Sequence, residues 1–262
     1  MNTSDESGIL AAGITDLQRA FEEKRFSSEQ LVEFNLSRME RFDKKGPRLN
    51  VVISINPEAA AEARDLDRER EKSGARGPLH GITFALKDNI DTKDMPTTGG
   101  SRALADSRPK RDAFIVEKLR KAGAVIIAKV NLHELARSGT TVGSLLGQTL
   151  NPYDLTRTPG GSSGGTAVAV AAGFCAAGLG GDTVNSIRSP ASAVCLVGFR
   201  PTRGLVSRSG IIPVSLTQDA AGPLTTCVRD AAAVLEVIAG RDPADSDTRE
   251  GPEGASPGYM HS

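Results

Sequence analysis

The chain has 262 residues, and its 32 Lys and Arg balance 32 Asp and Glu, so the formal net charge at pH 7 is zero. This balance argues against nucleic acid and anionic membranes as partners, because both are bound through broad positive surfaces. No apolar run is long enough to span a bilayer, and the polar, acidic N-terminus lacks a signal-peptide pattern. Three separated cysteines in apolar sequence, Cys175, Cys195 and Cys227, indicate buried, reduced thiols, so we predict a cytoplasmic protein.

Apolar patterns predict helices and strands in alternation along the chain. Two helices begin at capping-box patterns, Thr15-x-x-Gln18 and Ser27-x-x-Gln30. The later elements, in chain order, are a strand at 51–55, a surface helix at 57–72, a strand at 81–88, a helix at 113–121, a strand at 124–128, a buried apolar segment at 166–172, a strand at 196–199 and a helix at 228–239. The alternation predicts an α/β fold, with a mixed, largely parallel sheet flanked by helices on both faces.

The same patterns divide the chain into an arm, one domain and a tail. Residues 1–14 form a polar N-terminal arm, and residues 15–240 form the domain. Residues 241–262 contain prolines, glycines and charges but almost no aliphatic side chain. Such a segment buries too little apolar area to offset the entropy of ordering it, so we predict a disordered tail. The alternative is a short docked coil.

Two segments rich in Gly and hydroxyl side chains, 159–166 and 180–191, enclose the apolar segment at 166–172. A Gly/Ser stretch alone is typical of a flexible linker. Here the first stretch runs directly into apolar sequence, which favours close backbone approach over flexibility. We expect two exposed, hydroxyl-bearing loops that bracket one buried element, an arrangement typical of an active site.

A serine nucleophile needs a base, and the chain offers few candidates. A Ser-His-Asp triad lacks support because the Gly-x-Ser-x-Gly elbow is absent, and the only histidines are His80, His133 and His261. No phosphate-binding loop and no metal-ligand spacing occur in the sequence. Lys87 remains, because it closes an apolar strand where desolvation would lower its pKa. The alternative is that Lys87 pairs with Asp88 or Asp91 at the strand end.

Taken together, the motif segments resemble the amidase signature family. The resemblance runs from about residue 15 to residue 240 and rests on the segments 81–91, 97–101, 128–134, 160–165, 181–191 and 218–224. It implies hydrolysis of a carboxylic amide by a Ser-Ser-Lys triad, with no cofactor and no metal. The implied partner is a small amide substrate.

The resemblance also assigns roles to individual residues. It implies that Ser186 is the nucleophile, that Ser162 is a bridging serine after a cis Gly161–Ser162 peptide bond, and that Lys87 is the base. The implied oxyanion hole is made by the backbone N–H groups of Thr183, Val184, Asn185 and Ser186. The implied supporting residues are Ser163, Asp182 and Arg188.

Two departures from the family pattern affect this interpretation. Val184 and Asn185 stand where many members have a small, glycine-rich pair, which would narrow the approach to the nucleophile. The chain also matches only the N-terminal half of a family domain. We therefore expect a truncated fold, an incomplete pocket with weak or absent activity, and an apolar face that favours self-association. Two alternatives stay open: the amide-hydrolysing component of an aminoacyl-tRNA amidotransferase, and a catalytically silent truncated amidase.

Overall fold

A six-stranded sheet with helices on both faces forms the centre of the chain. The computed structural model describes residues 8–10, 12–248 and 258–259. The helices are α1 (Ile14–Glu22), α2 (Ser28–Met39), α3 (Ala59–Ser73), α4 (Phe114–Lys121), α5 (Gly164–Ala171), α6 (Arg188–Ala193) and α7 (Val228–Ile238). The strands are β1 (Val52–Ile55), β2 (Thr83–Lys87), β3 (Val125–Val130), β4 (Val142–Gly143), β5 (Gly147–Gln148), β6 (Ala177–Asp182), β7 (Val197–Gly198) and β8 (Ala220–Thr225). Short 3-10 turns occupy Arg102–Leu104 and Glu134–Ala136, and a π-helical turn at Glu40–Lys44 extends α2.

The strand order of the main sheet is β1-β3-β2-β6-β8-β7. Its central strands β3, β2 and β6 are parallel, whereas β1 and β8 run antiparallel to their neighbours. Strands β4 and β5 form a separate antiparallel pair. The predicted α/β fold with a mixed sheet is confirmed.

Alternate side chains of the central strands enter two apolar cores, one on each face of the sheet. Phe84 and Leu86 of β2 pack with residues of α1, α4 and α7. Ala85, between them, belongs to the core that contains residues of α2, α3 and α5. Because successive side chains of a strand point to opposite faces, this division shows that helices cover both sides of the sheet.

The predicted start of α1 is wrong, whereas that of α2 is confirmed. Helix α1 begins one residue before Thr15, and its first N–H group, that of Ile14, donates to the Asp230 carboxylate of α7 at 3.0 Å. The Gln18 amide instead donates to two backbone carbonyls of the 78–80 turn. The Asp230 carboxylate of α7 therefore caps α1, and the predicted capping box of Thr15 and Gln18 does not form. At α2, Ser27 and Gln30 form the predicted reciprocal capping box.

Strands β6 and β8 were not predicted, because glycines and a proline lower strand propensity. Their glycines serve close packing. A Cβ atom on Gly178 of β6 would lie 2.4 Å from Thr166 Cγ2 of α5, and one on Gly165 of α5 would lie 2.1 Å from the Asn131 carbonyl oxygen. The expected close backbone approach is therefore present, and it lets α5 lie directly against the sheet.

The first part of the predicted tail is docked on the domain. The carboxylate of Asp242 accepts a hydrogen bond from Ser207 Oγ at 2.6 Å, and Asp245 binds the Arg208 guanidinium at 2.8 Å. Residues 241–248 therefore contact the domain through these side chains. Residues 249–257 and 260–262 of the tail, and 1–7 and 11 of the arm, lie outside the described residues.

The prediction of three buried thiols is wrong for two of them. Cys175 is buried, and burial raises the pKa of its thiol to about 12. Cys195 and Cys227 are exposed, although both stand in apolar sequence. Within the described part of the chain, no helix has the length and apolar character needed to cross a membrane.

Candidate active site

Lys87 ends the central strand β2 and points into the protein, where it is 1% exposed. Its Nζ donates to Ser162 Oγ at 2.7 Å and to the Gly181 carbonyl oxygen at 3.2 Å. Burial lowers the pKa of the Lys87 amine to about 7, against the opposing influence of the Asp182 and Asp219 charges. About half of the amine is therefore neutral at neutral pH and able to accept a proton.

The alternative partner of Lys87 is already occupied. The Asp88 carboxylate lies 3.1 Å from Lys129 Nζ of β3, and both side chains are fully buried. Asp88 also accepts a hydrogen bond from the backbone N–H of Thr98 at 3.0 Å. Among the described residues, Lys87 forms no ion pair with Asp88 or Asp91, so its amine remains directed at Ser162.

The segment that carries Ser162 and Ser163 leads into α5. The Gly161–Ser162 peptide bond is cis, as the resemblance implied. Both serines are fully buried, so the expected exposed loop is wrong: the segment is covered by the rest of the domain. Ser163 Oγ donates to the Gly181 carbonyl at 3.1 Å, the same oxygen that accepts from Lys87. One carbonyl of β6 thus joins the lysine to the serine segment.

Ser186 lies in the turn between β6 and α6 and is 9% exposed. Its carbonyl oxygen accepts the Ser163 N–H at 3.1 Å, which brings the turn against the serine segment. In the described part of the chain, the Ser186 hydroxyl forms no hydrogen bond with Ser162 or with any other protein group. The structure therefore contains the hydrogen bond between Lys87 and Ser162 that the expected relay requires. It places Ser162 and Ser186 in adjacent segments, without a hydrogen bond between their hydroxyl groups.

Asp182 braces the Ser186 turn. Its buried carboxylate accepts the Ile187 N–H at 3.0 Å and the Arg188 guanidinium at 3.2 Å, and it lies 3.2 Å from Arg200 Nε. Burial acts to raise the pKa of Asp182, but hydrogen bonds from Arg188 and the Ile187 N–H outweigh it and hold the pKa below its ordinary value. Asp182 is thus a charged anchor for the turn.

The turn at 183–186 presents backbone donors. Among the described residues, none of its four N–H groups donates to a protein acceptor. Val184 is 73% exposed, and neither Val184 nor Asn185 has a positive φ. The departure from a glycine pair is therefore compatible with this backbone, and its side chains extend outward from the turn.

Of the histidines that the structure describes, neither His80 nor His133 forms a side-chain hydrogen bond with Lys87, Ser162 or Ser186. The buried His80 ring binds the Leu66 carbonyl at 2.9 Å and accepts the Arg76 N–H at 3.2 Å. The His133 ring pairs with Thr140 Oγ1 at 3.2 Å. His261 lies outside the described residues. In the same described ranges, no group of three or more His, Cys, Asp or Glu side chains could hold a metal ion.

A cavity of about 220 Å³ adjoins Lys87 and the Ser186 turn. Its walls include Thr183, Ile212, Val214 and Leu216, and Asp219 closes one side. No role was predicted for Asp219, although it stands in the matched segment 218–224. No local signal marks it, because strand β8, which follows it, was itself not predicted.

Comparisons with known proteins agree with the resemblance. The Amidase family model matches residues 30–259, so the chain belongs to the Amidase family. It is 44% identical over 260 residues to a probable amidase of Arabidopsis thaliana, covering 95% of this chain and 50% of that protein. It is 42% identical over 240 residues to a glutamyl-tRNA(Gln) amidotransferase subunit of Prochlorococcus marinus, covering 91% of this chain and 49% of that subunit.

The fold is similar to that of solved amidases. Native peptide amidase from Stenotrophomonas maltophilia superimposes with a TM-score of 0.92 and 46% sequence identity, covering 95% of this chain and 52% of that one. The chain spans about half the length of these relatives.

Proposed function

We propose that this chain carries the catalytic apparatus of an amide hydrolase that forms an acyl-enzyme on Ser186. The observation that carries the proposal is the 2.7 Å contact between the Lys87 amine and Ser162 Oγ, with the pKa of Lys87 lowered to about 7. A buried amine that is neutral near pH 7 can act as a general base. Family membership supports the same reaction.

In the proposed first step, Ser186 Oγ attacks the amide carbonyl carbon. The Ser186 proton passes to Ser162 Oγ while the Ser162 proton passes to the neutral Lys87 amine. The N–H groups of Thr183, Val184, Asn185 and Ser186 stabilise the oxyanion that develops. Collapse of the tetrahedral intermediate breaks the C–N bond, and the leaving amine takes a proton back through the same relay.

Water completes the cycle by attacking the ester on Ser186, and the relay accepts its proton. Ser163 supports the relay through the Gly181 carbonyl, while Asp182 and Arg188 brace the turn. Every group in this scheme lies before residue 189. The chain spans about half the length of its relatives.

The isolated chain should therefore turn over slowly, because catalysis also requires the substrate to be held in attack geometry. A displacement of about 1 Å costs on the order of a hundredfold in rate. The proposed partners are a small amide and another copy of this chain. The proposed location is the cytoplasm, which the free thiols support.

The amide-hydrolysing component of an aminoacyl-tRNA amidotransferase is the second candidate function. The 42% identity to the Prochlorococcus marinus protein favours it. This function predicts that activity depends on further proteins of an assembly. The alternative of a catalytically silent amidase predicts no activity, either for the chain alone or with added proteins.

Ammonia release from a panel of small amides tests these functions, with the chain alone and with the second half of a peptide amidase co-expressed. We expect little turnover alone and restored turnover with the second half. Ser186→Ala should abolish the restored activity and Lys87→Ala should strongly reduce it, whereas the control His133→Ala should leave it largely intact. Turnover that survives Ser186→Ala would overturn the mechanism.

A further inference from the structure

Asp219 lies beside the turn that carries Ser186. It directly precedes β8, whose first residue Ala220 pairs with Asp182 at the end of β6. The next positions outward on the two strands are Asp219 and Thr183. Asp219 therefore faces the first residue of the turn that carries Ser186, across the sheet edge.

Both oxygens of the Asp219 carboxylate are used. Oδ1 accepts a hydrogen bond from the Thr183 hydroxyl. Oδ2 accepts the backbone N–H groups of Val214 and Ser215, at 2.8 and 2.9 Å. One side chain thus connects the Ser186 turn to the loop that walls the cavity beside Lys87.

We propose that Asp219 is a positioning residue for the reaction at Ser186: it fixes the donor-bearing turn to the cavity wall and presents an uncompensated negative charge to Lys87. The proposal rests on the proposed function, because it needs a reacting Ser186. Hydrogen bonds to a carboxylate are stronger than neutral ones, so this connection is well suited to hold a turn in place.

The charges around Lys87 distinguish Asp219 from its neighbours. The charged groups that line the cavity with Lys87 are Asp182, Asp219, Arg208 and Asp245. Asp182 is compensated by Arg188 and Arg200, and Arg208 pairs with Asp245 at 2.8 Å.

In the described part of the chain, no cation pairs with Asp219. The charge of Asp182, and after it the charge of Asp219, oppose the effect of burial on the Lys87 pKa. This keeps the amine from losing too much basicity to accept a proton.

Two variants distinguish the effect of the hydrogen bond between Thr183 and Asp219 from the effect of the Asp219 charge on Lys87. Thr183→Val removes the hydroxyl but keeps the Asp219 charge and the shape of residue 183. Asp219→Asn weakens the connection and also removes the negative charge of residue 219. Asp65→Asn, at an exposed acid on α3 that pairs with Arg68, changes the net charge by the same amount and serves as the control.

The first readout is phosphonylation of Ser186 by a fluorophosphonate probe, followed by mass spectrometry across pH 5–9. The Ser186 oxygen bonds to phosphorus, the P–F bond breaks, fluoride leaves, and the serine proton goes to Lys87. We expect labelling to fall about tenfold in Thr183→Val, with an unchanged pH midpoint. In Asp219→Asn the rate should fall and the midpoint should move to lower pH, while Asp65→Asn behaves like wild type.

The second readout is the Lys87 pKa itself, measured from the 13C shift of the lysine ε-carbon and assigned with Lys87→Met. It requires no turnover and no probe. The pKa of Lys87 should be lower in Asp219→Asn than in wild type and unchanged in Thr183→Val. Thermal unfolding shows which variants are folded, and Thr183→Val tests the connection even where Asp219→Asn does not fold.

The outcomes separate this inference from the proposed function. Wild-type labelling rates in both variants, or an unchanged Lys87 pKa in folded Asp219→Asn, would overturn the role of Asp219 and leave the function standing. Labelling that persists in Ser186→Ala would overturn the function itself.

Discussion

At the scale of single residues, the site depends on the burial of Lys87. An ordinary lysine has a pKa of 10.5, and burial lowers that of Lys87 to about 7. Because protonation of the buried amine is penalised, the folded state of the protein bears a cost whenever Lys87 is charged. The amine remains inside because two polar groups, Ser162 Oγ and the Gly181 carbonyl, bind it there.

We predict that Lys87→Met stabilises the chain in a pH-dependent way. Between pH 7 and 10.5 the unfolded chain binds the lysine proton and the native state does not, so wild-type stability rises with pH. The advantage of Lys87→Met should be largest below pH 7 and decline by about 5 kcal/mol by pH 10.5, following the fall of the pKa from 10.5 to about 7.

Urea unfolding at pH 6, 7.5, 9 and 10.5 measures this difference. Lys72→Met, at an exposed position on α3, is the matched control and should show no such trend. A constant difference between Lys87→Met and wild type would mean that the native amine titrates like a free lysine.

At the scale of elements, the packing of α5 on the sheet depends on missing side chains. A Cβ atom on Gly165 would lie 2.1 Å from the Asn131 carbonyl oxygen, a backbone atom that cannot rotate away. We predict that Gly165→Ala lowers the free energy of unfolding by about 3 kcal/mol or more, because α5 must move off the sheet.

Denaturant unfolding is the measurement, and Gly139→Ala is the control. Its added Cβ would meet nothing closer than 3.9 Å, and Gly139 is exposed. The two variants should differ strongly although both replace Gly by Ala. Equal effects would contradict the prediction, because the two variants share only the reduced entropy of the unfolded chain, which favours the native state.

The helices and strands differ in how well the sequence predicts them. The periodic apolar residues of α2, α4 and β3 carry a local signal, so those elements were predicted close to their bounds. Strands β6 and β8 carry no such signal, because their glycines serve tertiary contacts: Gly178 of β6 lies against α5, and Gly222 of β8 lies against the Phe199 backbone. Capping of α1 by Asp230 was equally hidden, since 216 residues separate donor and acceptor.

The candidate site was predictable to a different extent. Lys87 was named from its position at the end of an apolar strand, and the roles of Lys87, Ser162 and Ser186 were assigned by the family resemblance. The burial of Ser162 and Ser163, and the bridging by Asp219, depend on how distant strands meet. Local sequence patterns do not encode such contacts.

At the scale of the whole molecule, the sheet ends at the two-residue strand β7. Phe199, the residue after this strand, is 42% exposed, and Leu216 on the cavity wall is 73% exposed. Exposed apolar side chains beside a sheet edge favour association. We predict that the purified chain self-associates and that Phe199→Gln weakens the association.

Light scattering over a range of concentrations measures the change in mass. Tyr153→Gln is the control, because Tyr153 is 67% exposed and lies in the segment between β5 and α5 rather than at the sheet edge. A monomer of constant mass at every concentration would refute the prediction. Co-expression of a second half from a relative should suppress the association in the same assay.

Because Cys175 is buried, alkylation of its thiol can measure opening of the fold. Cys195 and Cys227 are exposed and should react with an alkylating reagent before Cys175, Cys227 more slowly because burial raises the pKa of its thiol. The thiol of Cys175 has a pKa of about 12 and lies in the core formed with α5 and α2. Its alkylation therefore counts openings of the fold, and each event adds one reagent mass to an intact molecule. We predict two fast adducts and one slow one by mass spectrometry. The slow step should accelerate with urea and slow further whenever a second half docks, which would give a measure of docking that needs no substrate.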